Sequence, residues 1–145
     1  MIRSIFEEHL FLGNAQDARD LKVLYDHRIT AVVDLAINER PAQLAREMVY
    51  CRFPLVDGEG NSDAMINSAI RCIMMLMASK QRTLVACSAG MSRSPAISAA
   101  AIALLTKQLP EQCLIGIVTG APHDVSPTLW IRVKSVYTQI QREER

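Results

Sequence analysis

Three residues of this chain have the types that phosphoryl transfer requires. Cys87 and Arg93 stand at the two ends of one short loop, and Asp57 stands on an earlier loop. A thiolate can attack phosphorus, a guanidinium can bind two phosphoryl oxygens at once, and a carboxyl group can protonate a departing alcohol. Their combination indicates a site that removes phosphate from a phosphomonoester.

The segment 83–107 predicts a strand, a tight loop and a helix in succession. An apolar run at 83–86 precedes a loop of small residues, and an Ala-, Leu- and Ile-rich helix follows Pro95. The backbone N–H groups of such a loop, together with the helix N-terminus, favour an anion. Gly90 allows the backbone to turn sharply and to approach that anion closely. The predicted phosphate-binding residues are Ser88, Ala89, Gly90, Met91, Ser92 and Arg93.

Spacing alone is weak support for this site. With several cysteines and arginines in the chain, a Cys and an Arg at this separation also arise by chance. The alternative interpretation is a buried structural Cys87 followed by an ordinary strand-to-helix turn. The central glycine, the small flanking residues and the proline in the first helical turn favour the phosphate loop.

Composition limits the other function classes. The 145 residues suit one domain, 1–145, and a formal net charge of +1 does not suggest a nucleic-acid-binding protein. The 4 cysteines form no CxxC pair and no metal-ligand spacing with histidine, which indicates no metal site. No cofactor is expected either. No secretory signal is visible, and the apolar runs are too short to span a bilayer. A cytoplasmic protein with reduced thiols is expected.

Apolar and β-branched runs predict strands at 2–6, 10–12, 29–35, 50–56 and 83–86. Helical spacing predicts helices at 15–27, capped by Asn14, and at 63–79, capped by Ser62. Further helices are expected after residue 93, at 110–118 and at 128–142, the last capped by Ser126, with a short one ending at Met48. Alternating strands and helices predict an α/β fold with a central sheet covered by helices on both faces. Anion sites in such sheets lie at the carboxyl ends of strands, where Cys87 falls.

Residues 87–94, CSAGMSRS, resemble the Cys-x-x-Gly-x-x-Arg-Ser signature of cysteine-based protein tyrosine phosphatases, and most of all their dual-specificity branch. Residues 10–14, 29–35 and 53–55 are also similar to that branch. The resemblance implies a mostly parallel sheet of the protein tyrosine phosphatase type. It also implies metal-free hydrolysis through a phosphocysteine on Cys87. In that mechanism the hydroxyl of Ser94 would hydrogen-bond the Cys87 sulfur and ease its departure.

Asp57 is the predicted general acid and base. It follows the predicted strand 50–56 directly and matches the position of the family's acid, and Gly58 and Gly60 make its loop mobile. Glu59 and Asp63 are the reserve candidates, and a simple turn aspartate is the alternative interpretation of Asp57. Asp34 is expected to be structural, and Asp124 is expected to lie in a turn before the last helix.

The sequence departs from the family at one position, because Ala86 stands where the family usually has a histidine before the nucleophile. That histidine supports the loop, so we expect activity that is weaker or shifted in pH optimum. A phosphate-binding module without turnover is one alternative, and a sulfur-transfer or arsenate-reducing enzyme is another. Cys51 or Cys72 would be a redox partner if it lay near Cys87.

Few aromatic residues are available to build a deep phosphotyrosine slot. A shallow pocket would accept phosphoserine and phosphothreonine as well as phosphotyrosine. The expected partner is therefore a phosphorylated protein or a small phosphomonoester. Phosphoinositides, sugar phosphates and RNA 5′-phosphates stay open as substrates, as does the oligomeric state.

Overall fold

The computed structural model describes residues 1–144. Its strands are β1 (Arg3–Phe6), β2 (Leu10–Gly13), β3 (Ala31–Ala36), β4 (Val49–Leu55) and β5 (Thr83–Ala86). Its helices are α1 (Leu21–Asp26), α2 (Asp63–Ala78), α3 (Arg93–Thr106), α4 (Pro110–Val118) and α5 (Pro127–Glu143). A turn of 3₁₀-helix at Asp17–Arg19 precedes α1.

The strands form one sheet in the order β1-β2-β5-β3-β4. All neighbours are parallel except β1, which pairs antiparallel with β2 at one edge. The mostly parallel α/β sheet expected from the sequence is thus confirmed. Strand β5 lies in the middle, and its last residue, Ala86, pairs with Gly13 on one side and Asp34 on the other. The chain that leaves β5 therefore emerges at the centre of the carboxyl edge.

The two faces of the sheet are covered unequally. Helices α2 to α5 pack on one face and share the larger core, whereas α1 and the segment 41–48 cover the other face with a smaller core. Side chains of β5 alternate between these cores, since Val85 and Cys87 belong to the larger one and Leu84 and Ala86 to the smaller. Cys87 therefore projects toward the side on which α3 begins.

Helix α3 is buried along most of its length. Most of its buried positions are small, among them the alanines at 96, 99, 100, 101 and 103 and the serine at 98. Because small side chains permit close approach, α2, α4 and α5 all pack against it. The helix whose N-terminus follows the loop is thus the central helix of the larger core.

The predicted helix at 15–27 was wrong in extent, because α1 covers only Leu21–Asp26. Asn14 caps a tighter turn instead: its Oδ1 accepts from Asp17 N at 2.8 Å, and Asp17 Oδ2 accepts from Asn14 N at 2.9 Å. The cap of α1 is Asp20, whose carboxylate accepts from Val23 N at 3.2 Å.

The short helix expected before Met48 was also wrong. Side chains of β4 hold the backbone of this segment in an irregular path: Ala42 N donates to Tyr50 Oη, and Arg52 donates to Glu39 O. These bonds compete with the local hydrogen bonds that a helix would need. The predicted caps of α2 and α5 were correct, since Ser62 Oγ and Ser126 Oγ each accept from a backbone N–H three residues on.

Within the described residues, no helix combines the length and apolar character that would let it cross a membrane.

Candidate active site

A cavity of about 90 Å³ lies at the carboxyl edge of the sheet, directly after β5. Its lining residues are Asp57, Cys87, Ser88, Ala89, Met91, Ser92, Arg93 and Asp124. The volume is well below the several hundred cubic ångströms of a pocket that encloses a whole small molecule. It suits a phosphoryl group. The structure therefore brings the predicted nucleophile, arginine and acid to one small cavity, and it adds Asp124.

The loop between β5 and α3 is held to the protein on two sides. Ala15 N donates to Ser88 O at 3.1 Å, and Asp124 N donates to Met91 O at 3.0 Å. Gly90 has φ +74°, and a Cβ built there would lie 2.8 Å from Gly13 O. The predicted need for glycine at 90 thus has two causes, a left-handed backbone and close contact with the end of β2.

The loop also keeps hydrogen-bond donors free. The backbone N–H groups of residues 89–92 make no hydrogen bond to any described residue. They precede α3, whose N-terminus favours negative charge. An anion in the cavity would find these donors unused.

Arg93 is buried, with 5% of its surface exposed, and its guanidinium is fixed by three acceptors. Nη1 donates to Asn38 Oδ1 at 2.9 Å and to Leu55 O at 2.8 Å, and Nη2 donates to Ser88 Oγ at 3.1 Å. Nε is buried and has no hydrogen-bond partner among the described residues. A buried, unpaired donor is costly, so an anion that accepts from Nε would be favoured.

Asn38 completes this arrangement, and its role was not predicted from the sequence. Its Nδ2 donates to Ser88 Oγ at 2.8 Å while its Oδ1 accepts from Arg93. One amide therefore connects the start of the phosphate loop with the arginine at its end. The residue lies in the loop after β3, and only the fold shows that this loop reaches Arg93.

The loop that carries Asn38 is supported by a partly buried polar network. Asp34 Oδ2 accepts from Tyr50 Oη at 2.6 Å and from Arg52 Nη1 at 2.9 Å. Arg52 Nη2 donates to Ala36 O at 3.1 Å and to Glu39 O at 2.7 Å, on either side of Asn38. Burial, and next the hydrogen bond to Asp34, raise the pKa of Tyr50 above its usual value. Asp34 therefore has the structural position that was expected.

Asp57 lies at the exposed rim of the cavity and is held by a single side chain. Ser92 Oγ donates to Asp57 Oδ1 at 2.5 Å and accepts from Ser126 N at 2.9 Å. The hydroxyl of Ser92 thus links the phosphate loop, the acid loop and the beginning of α5. The reserve acids do not line the cavity, and Asp63 lies 3.6 Å from Arg132 Nε instead.

Two other predicted roles have no contact in this structure. Ser94 Oγ is buried without a hydrogen-bond partner among the described residues, so the expected bond to the Cys87 sulfur is not formed here. All 4 cysteines are free, and the thiol neighbour of Cys72 is Cys51. Burial, and next the hydrogen bond with Cys51, raise the pKa of Cys72 to about 12.

Ala86 is 1% exposed and lies in the smaller core with Val32 and Leu84. Its strand neighbour is Asp34, whose carboxylate bonds Tyr50 and Arg52. Apolar side chains and this network thus fill the region beside the position where the family usually has histidine.

Comparisons with known proteins agree on the kind of domain. The family model described as "Dual specificity phosphatase, catalytic domain" matches residues 10–117. The human "Dual specificity protein phosphatase 15" is 34% identical over 98 residues, which are 67% of this chain and 32% of that protein. The chain thus spans about a third of the length of this curated relative.

Solved structures give the same fold. A crystal structure of DUSP15 has a TM-score of 0.82 and 25% identity, and the match covers 99% of this chain and 96% of that one. A structure of PTPMT1 in complex with PI(5)P has a TM-score of 0.79 and 18% identity, and the match covers 99% of both chains. At that identity the second likeness shows the fold alone.

Proposed function

Because this chain belongs to the dual specificity phosphatase family, we propose that it hydrolyses phosphomonoesters through a phosphocysteine on Cys87. The substrate would be a phosphorylated protein, with phosphotyrosine and phosphoserine or phosphothreonine both accepted. The observation that carries the proposal is the single small cavity that Cys87, Arg93 and Asp57 line together. Cys87 can act as the nucleophile, Arg93 can bind the phosphoryl oxygens, and Asp57 can donate a proton to the leaving group.

In the first step the thiolate of Cys87 attacks phosphorus, and an S–P bond forms as the ester P–O bond breaks. Asp57 donates its proton to the departing oxygen, so that an alcohol or a phenol leaves. Arg93 and the free N–H groups of residues 89–92 bind the equatorial oxygens, on which negative charge is spread in the transition state.

In the second step water attacks the phosphocysteine. Asp57, now a carboxylate, accepts a proton from the water, the S–P bond breaks, and inorganic phosphate and the Cys87 thiolate are released. The Ser94 hydroxyl is buried and unpaired, so it is free to donate to the departing sulfur. This role remains the one that the family resemblance implies.

A phosphate-binding module without turnover is the second candidate. Ala86 favours it, because the usual histidine is missing and the packed surroundings leave no obvious replacement from the smaller core. Support for the loop comes instead from Asn38, which is hydrogen-bonded to both Ser88 and Arg93. We therefore favour the enzyme.

Turnover of an aryl phosphate tests the proposal. Cys87→Ser and Arg93→Lys should abolish activity. The first removes the nucleophile, and the second removes the planar guanidinium that can bind two phosphoryl oxygens at once. Asp57→Asn should lower kcat by about 10²-fold or more and remove the basic limb of the pH–rate profile. Cys51→Ser, at a free thiol outside the cavity, is the matched control and should leave kcat unchanged.

Full activity of Cys87→Ser would refute the mechanism. An inactive wild-type protein that still binds phosphate or tungstate would favour the binding module. Sulfur-transfer or arsenate reductase activity without phosphatase activity would support the alternative of a sulfur-transfer or arsenate-reducing enzyme.

A further inference from the structure

Asp124 lines the cavity, but the proposed reaction does not use it. Its backbone N–H donates to Met91 O at 3.0 Å, so its position is fixed relative to the phosphate loop. The residue is exposed and contributes to the rim of a cavity only a few ångströms across. Any group attached to a bound phosphate must leave the cavity past this rim.

The carboxylate of Asp124 is available for an external partner. It makes no ion pair and no hydrogen bond with any described residue. The nearby N-terminus of α5 does not need it, because Ser126 Oγ already accepts from Leu129 N at 3.3 Å. Capping of α5 therefore does not account for an aspartate at 124.

The rim near Asp124 is acidic. Asp57 is exposed on the same cavity, Glu59 is exposed on the acid loop, and the cavity's only cation among the described residues is the buried Arg93. The nearby Arg132 lies 3.6 Å from the Asp63 carboxylate. Arg3 lies beyond the phosphate loop, where its Nη1 donates to Ile117 O at 2.8 Å.

The acidic rim should strengthen or weaken the binding of a ligand according to the charge beside its phosphate. When Asp57 carries the proton for the first step, Asp124 still contributes an unpaired carboxylate to the residues that line the cavity. A second anionic group at the rim would be repelled, and a cationic group would be attracted at short range. Both effects should weaken as salt screens the exposed charges.

We propose that Asp124 is a specificity-determining residue that selects phosphopeptides with lysine or arginine beside the phosphorylated residue. The inference rests on the proposed function only in that the phosphoryl group must occupy the cavity. It favours a cationic phosphopeptide over a phosphoinositide that bears several phosphates, because the latter brings further negative charge to an acidic rim.

Binding to the Cys87→Ser variant tests this preference without turnover. Two fluorescent phosphotyrosine peptides are compared at low ionic strength, identical except that lysines flank the phosphotyrosine in one and glutamates in the other. We expect the lysine peptide to bind about tenfold more tightly, and the ratio to shrink as salt is added. In the Cys87→Ser/Asp124→Asn variant the ratio should fall to about threefold or less.

Glu8→Gln in the same background is the matched control. Glu8 is exposed in the β1–β2 turn, at the opposite end of the sheet, so the substitution removes one negative charge far from the cavity. It should leave the ratio near tenfold. The thermal midpoint of unfolding of Asp124→Asn should match its parent, since the carboxylate makes no internal contact.

The proposal is overturned if the two peptides bind equally, if neither binds, or if Asp124→Asn and Glu8→Gln alter the ratio alike. Tighter binding of a short-chain phosphoinositide with three phosphates than of the lysine peptide would also overturn it. Wild-type hydrolysis of an aryl phosphate is measured in parallel. If the lysine peptide binds selectively but the wild-type protein does not hydrolyse the aryl phosphate, the proposed function is contradicted and the proposed selectivity of Asp124 is still supported.

Discussion

The two halves of the cavity are built in different ways. On the phosphate-binding side, Arg93 is buried and held by Asn38, Leu55 O and Ser88, and the loop is bonded to its neighbours at both ends. On the acid side, Asp57 and Asp124 are exposed, and one hydroxyl, that of Ser92, holds Asp57.

The two halves of the cavity therefore suit different parts of the reaction. Donors that must stabilise charge in the transition state are most effective when they are fixed in advance, and the buried half provides this. A group that must exchange protons and admit a substrate needs access to solvent, and the exposed half provides that. Apart from the acid Asp57 itself, substitutions at the rim should alter selectivity or pH dependence, whereas those in the buried half should affect activity most.

Gly90→Ala should have the largest effect among the tests of this contrast. The new Cβ would lie 2.8 Å from Gly13 O at a residue with φ +74°, so the loop must move away from β2. We expect kcat/KM for an aryl phosphate to fall by about 10²-fold or more and the protein to lose about 1–3 kcal/mol of stability. Steady-state kinetics and chemical denaturation measure the two effects.

Gly60→Ala is the matched control in the acid loop. Gly60 also has positive φ, +99°, but a Cβ there meets no atom within 4 Å. Backbone strain is then present without the clash, and kcat/KM should stay within about threefold of wild type. Equal losses in the two variants would show that the buried half has no special rigidity.

Ser92→Ala should have an intermediate effect, because it breaks the connection between the two halves. Asp57 and Ser126 N both lose their bond to the hydroxyl. We expect kcat to fall about tenfold while KM changes little, since the contacts of Arg93 are untouched. The loss should be greater for alkyl than for nitrophenyl phosphates, because a poorer leaving group depends more strongly on the acid.

Ser98→Ala is the control for this substitution. Ser98 Oγ is buried on α3 and has no hydrogen-bond partner among the described residues. Its removal should leave kcat near the wild-type value. A loss in Ser92→Ala that is independent of the leaving group would contradict a positioning role toward Asp57.

Ala86→His should have the smallest effect on activity, although it restores the usual residue of the family. Because Ala86 is 1% exposed among packed side chains, an imidazole must displace its neighbours at a cost of about 1–3 kcal/mol. We expect a lower thermal midpoint and a kcat within about threefold of wild type. A tenfold rise in kcat would show that Asn38 does not replace the missing support.

Residues whose roles depend on local sequence were predictable. The strand–loop–helix unit around Cys87 and the caps Ser62 and Ser126 follow from rules that involve only a few neighbouring residues. The mostly parallel sheet followed from the alternation of strands and helices together with the family resemblance. The roles proposed for Cys87, Arg93 and Asp57 in catalysis remain predictions, although the three residues line one cavity.

Residues whose roles depend on the crossing of distant loops were not predictable. Asn38, Asp124 and the bridging role of Ser92 become visible only when the loops after β3, β4 and α4 meet the phosphate loop. The break between residues 15 and 27 was missed for a different reason. The side chains of Asp17 and Asp20 accept local backbone hydrogen bonds that compete with a continuous helix. The spacing of apolar residues contains no information about these bonds.

The alanine surface of α3 has a consequence for how this domain can change over evolutionary time. The helix is in contact with α2, α4 and α5, and Arg93 is its first residue, so an added methyl group at a buried alanine would shift the position of the guanidinium. Sequence drift in the larger core is thus limited by the geometry of the cavity as well as by stability. We expect the buried alanines of α3 to vary little among close relatives, and the exposed positions of α5, such as Ile131, to vary freely.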